Sequence, residues 1–143
     1  MRTTEEIAAF ATQMEGNRWK IRVDPKLTYA DADQHPLFRR IRISPVYLDE
    51  TVADDRILEA TLWHEMGHFY DPALRLLMLA ILLLAFSIIF SASHHWFLLI
   101  PLLVVLLVAV LASRSVCAPW FEARADAWAA KRMKDYFLHK NRL

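Results

Sequence analysis

The stretch ATLWHEMGHFYDP, residues 60–72, holds three side chains whose types and spacing can do chemistry together: His64, Glu65 and His68. Four residues apart on a helix, His64 and His68 leave the same face, and their imidazoles can hold one zinc ion. Glu65 is rotated by about 100° from His64. It cannot readily join the same tetrahedron, but it can reach a water on the metal's open side. Two ligands beside a carboxylate are the parts of a hydrolase in which the acid serves as general base.

A catalytic zinc of this type takes a third protein ligand and keeps its fourth position for water. Downstream of His68 the carboxylates are Asp71, Glu122, Asp126 and Asp135. Asp71 stands where a helix cap would, and Asp135 lies among Lys and Arg. Glu122 and Asp126 are four apart, on one face of an Ala-rich helix. One can ligate zinc while the other accepts an N–H from a ligand histidine and so fixes its tautomer; spacing alone does not say which. Cys117 is the single cysteine, which excludes an internal disulfide and a multi-cysteine zinc site and suits a reducing compartment. It reads as a small buried apolar residue rather than a nucleophile, since no activating group lies near it in sequence.

The elements that must position these groups can be read outward from the histidines. Residues 53–70 predict a helix, with Asp54 or Asp55 at its start and Ile57, Thr61, His64 and His68 along one face. Asp71-Pro72 restarts a helix, with Asp as N-cap and Pro at the first helical position. Upstream, RWKIRVD (18–24) alternates as a short strand closed by the turn Asp24-Pro25. A second strand at about 39–44, RRIRIS, puts Arg40, Arg42 and Ser44 on one face and Arg39, Ile41 and Ile43 on the other. The adjacent Pro45 ends it or marks it as a sheet edge, of the kind a peptide could pair with. The N-terminus does not read as a signal peptide, having two Glu where positive charge belongs and no continuous apolar run. It predicts a short amphipathic helix, opened by a Thr3–Glu6 capping box, that packs Ile7, Phe10, Ala11 and Met14 into a core.

Residues 73–93 and 96–113 are apolar runs joined by SASHHW. Eighteen helical residues span about 27 Å, close to the ~30 Å of a hydrocarbon core. The second run alone contributes about −4 to −7 kcal/mol of insertion free energy. Arg75, the one charge in the first run, lies near enough to its end to snorkel. The rest of the chain is too short to cover two such helices, so a transmembrane hairpin is expected. Arg75 and Arg114 flank its outer ends, and Arg124, Lys131, Arg132 and Lys134 follow, whereas the connecting loop has only His94 and His95. The positive-inside rule then places both termini and the histidine site in the cytoplasm of a bacterial-type inner or plasma membrane. A last helix is expected over 119–138, with Pro119 in its first turn. The chain thus divides into 1–72, the hairpin 73–113 and a C-terminal helical segment 114–143. The expected class is mainly α with a small β-sheet (α+β).

Taken together, PVYLDE (45–50), ILEATLWHEMGH (57–68), two apolar spans and FEARADAWA (121–129) resemble the membrane zinc peptidases typified by the heat-shock protease HtpX and the CAAX prenyl endopeptidases. The resemblance covers about residues 39–130. It implies a zincin-like minimal catalytic domain, of gluzincin type, with an inserted transmembrane hairpin and one catalytic zinc ion. By position it implies His64, His68 and Glu122 as ligands, Glu65 as base and Asp126 as the acid that supports a ligand histidine. Gly67 matches the family's small residue. The chain departs from the pattern in having no membrane helices ahead of the motif, in FYDP after His68, and in Trp120-Phe121 where an Arg often precedes the ligand Glu.

The function so implied is an integral-membrane zinc endopeptidase that cuts membrane-associated or juxtamembrane protein segments. The alternative is a catalytically silent, zinc-stabilised membrane adaptor or signalling module of the same fold. Glu65 favours the enzyme, since a purely structural site needs no base. Expected partners are the bilayer and a protein or peptide substrate; a net charge of +1 gives no reason to invoke nucleic acid.

Overall fold

A computed structural model describes residues 1–28, 31–35 and 37–140, the last six by backbone alone, so the side chain of Asp135 lies outside it. Helix α1 (Thr4–Glu15) opens with the expected capping box, Glu6 N–H donating to Thr3 Oγ1 and Thr3 N–H to Glu6 Oε2. Gly16 ends it in the left-handed region, φ 83°, which glycine adopts without strain. Ile7, Ala11 and Met14 are buried, with Phe10 packed beside them.

Three short strands follow, β1 (Lys20–Val23), β2 (Ala32–Gln34) and β3 (Arg40–Ile43), in the spatial order β1-β3-β2. β1 runs parallel to β3, Ile21 opposite Ile41 and Val23 opposite Ile43. β2 is antiparallel on the other side, Ala32 opposite Ile43 and Gln34 opposite Ile41. β3 is therefore the central strand, not the edge that Pro45 suggested. Pro45 falls outside the ladder, in a 3-10 turn at Pro45–Leu48, where its missing N–H breaks no strand pairing. The edge beside the helices is β2. Ser44 is buried rather than solvated with Arg40 and Arg42, because its Oγ accepts from Val46 N–H to cap that turn. So small a sheet depends on packing: Ile21, Ile41 and Ile43 are buried together with Leu58, Leu62 and Met66 of helix α2.

Helix α2 (Asp55–Tyr70) starts at Asp54, whose side chain accepts from Ile57 N–H. It stops at Asp71, which also caps helix α3 (Pro72–Ser93) through Ala73 N–H. Helix α4 then runs unbroken from Leu99 to Lys140. The expected final helix is thus the continuation of the second apolar run, which begins at Leu99 rather than at 96, and Pro119 lies inside it. Proline removes one bond, to the carbonyl four residues back. Just beyond it Phe121, Ala125 and Ala129 are buried, and the packing of α4 on α2 keeps the helix whole. Helices α3 and α4 are both long and apolar enough to cross a membrane, and their outer residues, Leu76, Leu83, Phe86 and Val105 among them, are exposed. Cys117 is exposed too, on α4, contrary to the buried position expected. Arg75 folds back over the rings of Phe69, at 4.4 Å, and Tyr70, at 5.6 Å.

Candidate metal centre

α2 and α4 are antiparallel neighbours, and one glycine sets how closely they approach. A Cβ built on Gly67 would lie 3.0 Å from both Cα and O of Ala125 and 3.3 Å from its Cβ. Trp128 reinforces the pairing, 5.6 Å from Trp63 at its edge and 5.6 Å from Tyr70 in a stack. Farther along, Arg124 Nε–H donates to the buried Asp71 carboxylate at 2.8 Å, tying α4 to the α2–α3 corner.

With that spacing, residues 58 positions apart converge. His64 Nε2 lies 3.1 Å from His68 Nε2 and 3.1 Å from Glu122 Oε2, and His68 Nε2 lies 3.3 Å from the same oxygen. Donors held about 2.0–2.1 Å from a tetrahedral zinc are themselves about 3.4 Å apart. The His64, His68, Glu122 group thus has the donor types, number and spacing to hold a metal ion. Asp126 Oδ1 is 2.7 Å from His64 Nδ1. A proton on Nδ1, donated to that carboxylate, leaves the Nε2 lone pair facing the other two donors.

Glu65 does not join the triangle. It is 7 % exposed, and burial pushes its carboxyl up to about 7. The charges of Asp33 and Glu122 add to the rise; His64 and a hydrogen bond from the Gln34 backbone N–H oppose it. Burial likewise lowers the pKa of His68, and Glu122 opposes that fall. A neutral imidazole, the form that ligates, is favoured.

The group opens into a groove of about 1090 Å³. Its walls are β2 and the Arg22–Arg42 face of the sheet on one side, α2 along the floor, Leu74 and Met78 at the start of α3, and Arg114 and Ala118 just past the apolar part of α4. His35 N–H bonds to Arg40 O, and Ser44 N–H to Asp31 O. In an antiparallel strand the intervening residues, Ala32 and Gln34, therefore turn their backbone groups outward, away from β3.

The five residues singled out in the sequence, His64, Glu65, His68, Glu122 and Asp126, are thus brought together in the groove. β2 was missed. Ala-Asp-Gln has no β-branched or aromatic residue and no apolar alternation, so nothing in it signals a strand. Compared with known protein families, curated proteins and solved structures, the chain shows no match.

Proposed function

We propose that the chain is an integral-membrane zinc endopeptidase, and that its groove receives membrane-associated or juxtamembrane protein segments. The observation that supports this most is the triangle of His64, His68 and Glu122 with a buried carboxylate, Glu65, one residue along the helix. A zinc ion held there would polarise a scissile carbonyl and bring a water's pKa down toward neutrality. Glu65 is the group to take that water's proton and hand it to the leaving amine, in keeping with a carboxyl raised by burial. Asp126 keeps His64 in the ligating tautomer. The outward N–H and carbonyl of Ala32, with the Gln34 carbonyl, give an extended substrate a strand to pair with at β2 rather than at β3, the Gln34 N–H being held by Glu65. Leu74 and Met78 extend the groove to the foot of α3, where a chain emerging from lipid would enter it. Arg75 and Arg114 at the outer ends of α3 and the apolar part of α4 favour a cytoplasmic site.

The test uses the full chain in lipid nanodiscs and a quenched peptide carried on a membrane anchor. Glu65→Gln should retain zinc while turnover falls by about 10²- to 10⁴-fold. Cleavage by Glu65→Gln at the wild-type rate would remove the base. Zinc binding without cleavage by the wild type would leave the silent zinc-stabilised module as the reading to keep.

A further inference from the structure

The turn between β2 and β3 carries two large apolar side chains in the open: Leu37 is 50 % and Phe38 59 % exposed. Arg39 and Arg40 follow directly. The Arg39 guanidinium lies 5.9 Å from the centre of the Phe69 ring, and Arg75 lies 4.4 Å from the same ring. Phe69 is in the last turn of α2 and Arg75 in the first turn of α3. The β2–β3 turn therefore stands at the level where the apolar helices begin. On this end of the sheet Lys20 is directly opposite Arg40. Like charges so placed repel, and among the described residues neither makes an ion pair with an acid.

An apolar tip backed by cations, level with the start of two apolar helices, matches the boundary between acyl chains and anionic headgroups. We propose that the β2–β3 turn is a further membrane contact, in which Leu37 and Phe38 enter that boundary while Lys20 and Arg40 face lipid phosphates. The inference rests on α3 and α4 spanning the bilayer; it does not require the peptidase reading. It fixes the height of β2, which leads straight into the turn, and so the height of the groove above the lipid.

Collision-accessibility EPR on the full chain in nanodiscs tests it. Cys117→Ser removes the native thiol, and single nitroxides are placed by Leu37→Cys, Phe38→Cys, Leu83→Cys in α3 and Val52→Cys ahead of α2. Each turn variant keeps the other apolar residue, and circular dichroism verifies its fold. In discs containing phosphatidylserine, labels at 37 and 38 should collide several-fold more with oxygen than with a water-soluble nickel chelate, as at 83, with the reverse at 52. Lys20→Glu with Arg40→Glu should erase that protection, as should discs of phosphatidylcholine alone. Were 38 as open to nickel as 52 while 83 is shielded, the contact would be disproved; an open 83 would instead overturn the spanning helices. Shielding at 37 and 38 that needs an added acidic peptide, and not lipid, would assign the turn to a protein partner and overturn the proposal.

Discussion

Gly67→Ala is the substitution that separates the approach of two helices from the stability of either. The added Cβ meets Ala125 Cα and O at 3.0 Å, whereas ordinary carbon contacts lie at about 3.5–4.0 Å. Both atoms are backbone, so α4 must move out by about 0.5–1 Å to relieve the crowding. Glu122 is one turn from Ala125 and moves with it, while metal–ligand distances tolerate only about 0.2 Å. Overpacking costs about 1–3 kcal/mol, and alanine's better helix propensity offsets about 1 of it, so the fold loses little. Zinc should lose more: about 10- to 100-fold in affinity, in the range seen when a ligand's support is removed. Chelator competition on purified protein measures this, with the thermal midpoint recorded alongside. Adding Ala125→Gly should restore little, because two of the three close contacts are to backbone that no substitution at 125 removes. Zinc affinity within twofold of wild type for Gly67→Ala would refute the claim that this glycine sets the site. Full rescue by Ala125→Gly would show that a side-chain clash, not the backbone approach, is what matters.

Two further predictions concern carboxylates. Glu122→Gln should purify nearly free of zinc, whereas Asp126→Asn should keep zinc with affinity lower by about 10- to 100-fold; metal content after dialysis against graded chelator reads both, and the opposite ranking would exchange their roles. Burial would raise the pKa of Glu15, but hydrogen bonds from Tyr70, Trp19 and Asn17 more than offset it, and Arg39 assists, so the net shift is downward. A lowered folded pKa gives stability that is present above the unfolded value and lost as pH falls through the folded one. Glu15→Gln should therefore melt below wild type at pH 7, with the gap closing on acidification below pH ~4; a gap that stays constant would remove the linkage.

The site was legible because its chemistry is written in i, i+4 pairs, His64 with His68 and Glu122 with Asp126, and helical periodicity turns such spacing directly into shared faces. Caps were legible for the same local reason, at Thr3, Asp54 and Asp71. Sheet order was not. Pairing is non-local, and nothing in RRIRIS says that its neighbours are a parallel strand twenty residues earlier and three residues, Ala-Asp-Gln, that look like loop. Pro119 misled because a proline is a helix start by preference but a helix interior where packing holds both sides. Cys117 misled because burial was inferred from residue type, whereas the buried residues of α4 are Phe121, Ala125 and Ala129, and position 117 lies short of that packed stretch.

Helix α4 makes the apolar span and the acidic donors parts of one rod. Its 42 residues would measure about 63 Å if straight. A span tilts to match the thickness of the bilayer around it. Pivoting by about 5° near Arg114 swings Glu122, about 12 Å farther along the axis, through about 1 Å. Pro119 lies between pivot and donor, but the helix runs unbroken through it, so the swing reaches Glu122. With α4 spanning a bilayer as proposed, and Glu122 set against the histidines of α2, the thickness of the surrounding lipid would become a mechanical input to the spacing of the three candidate donors.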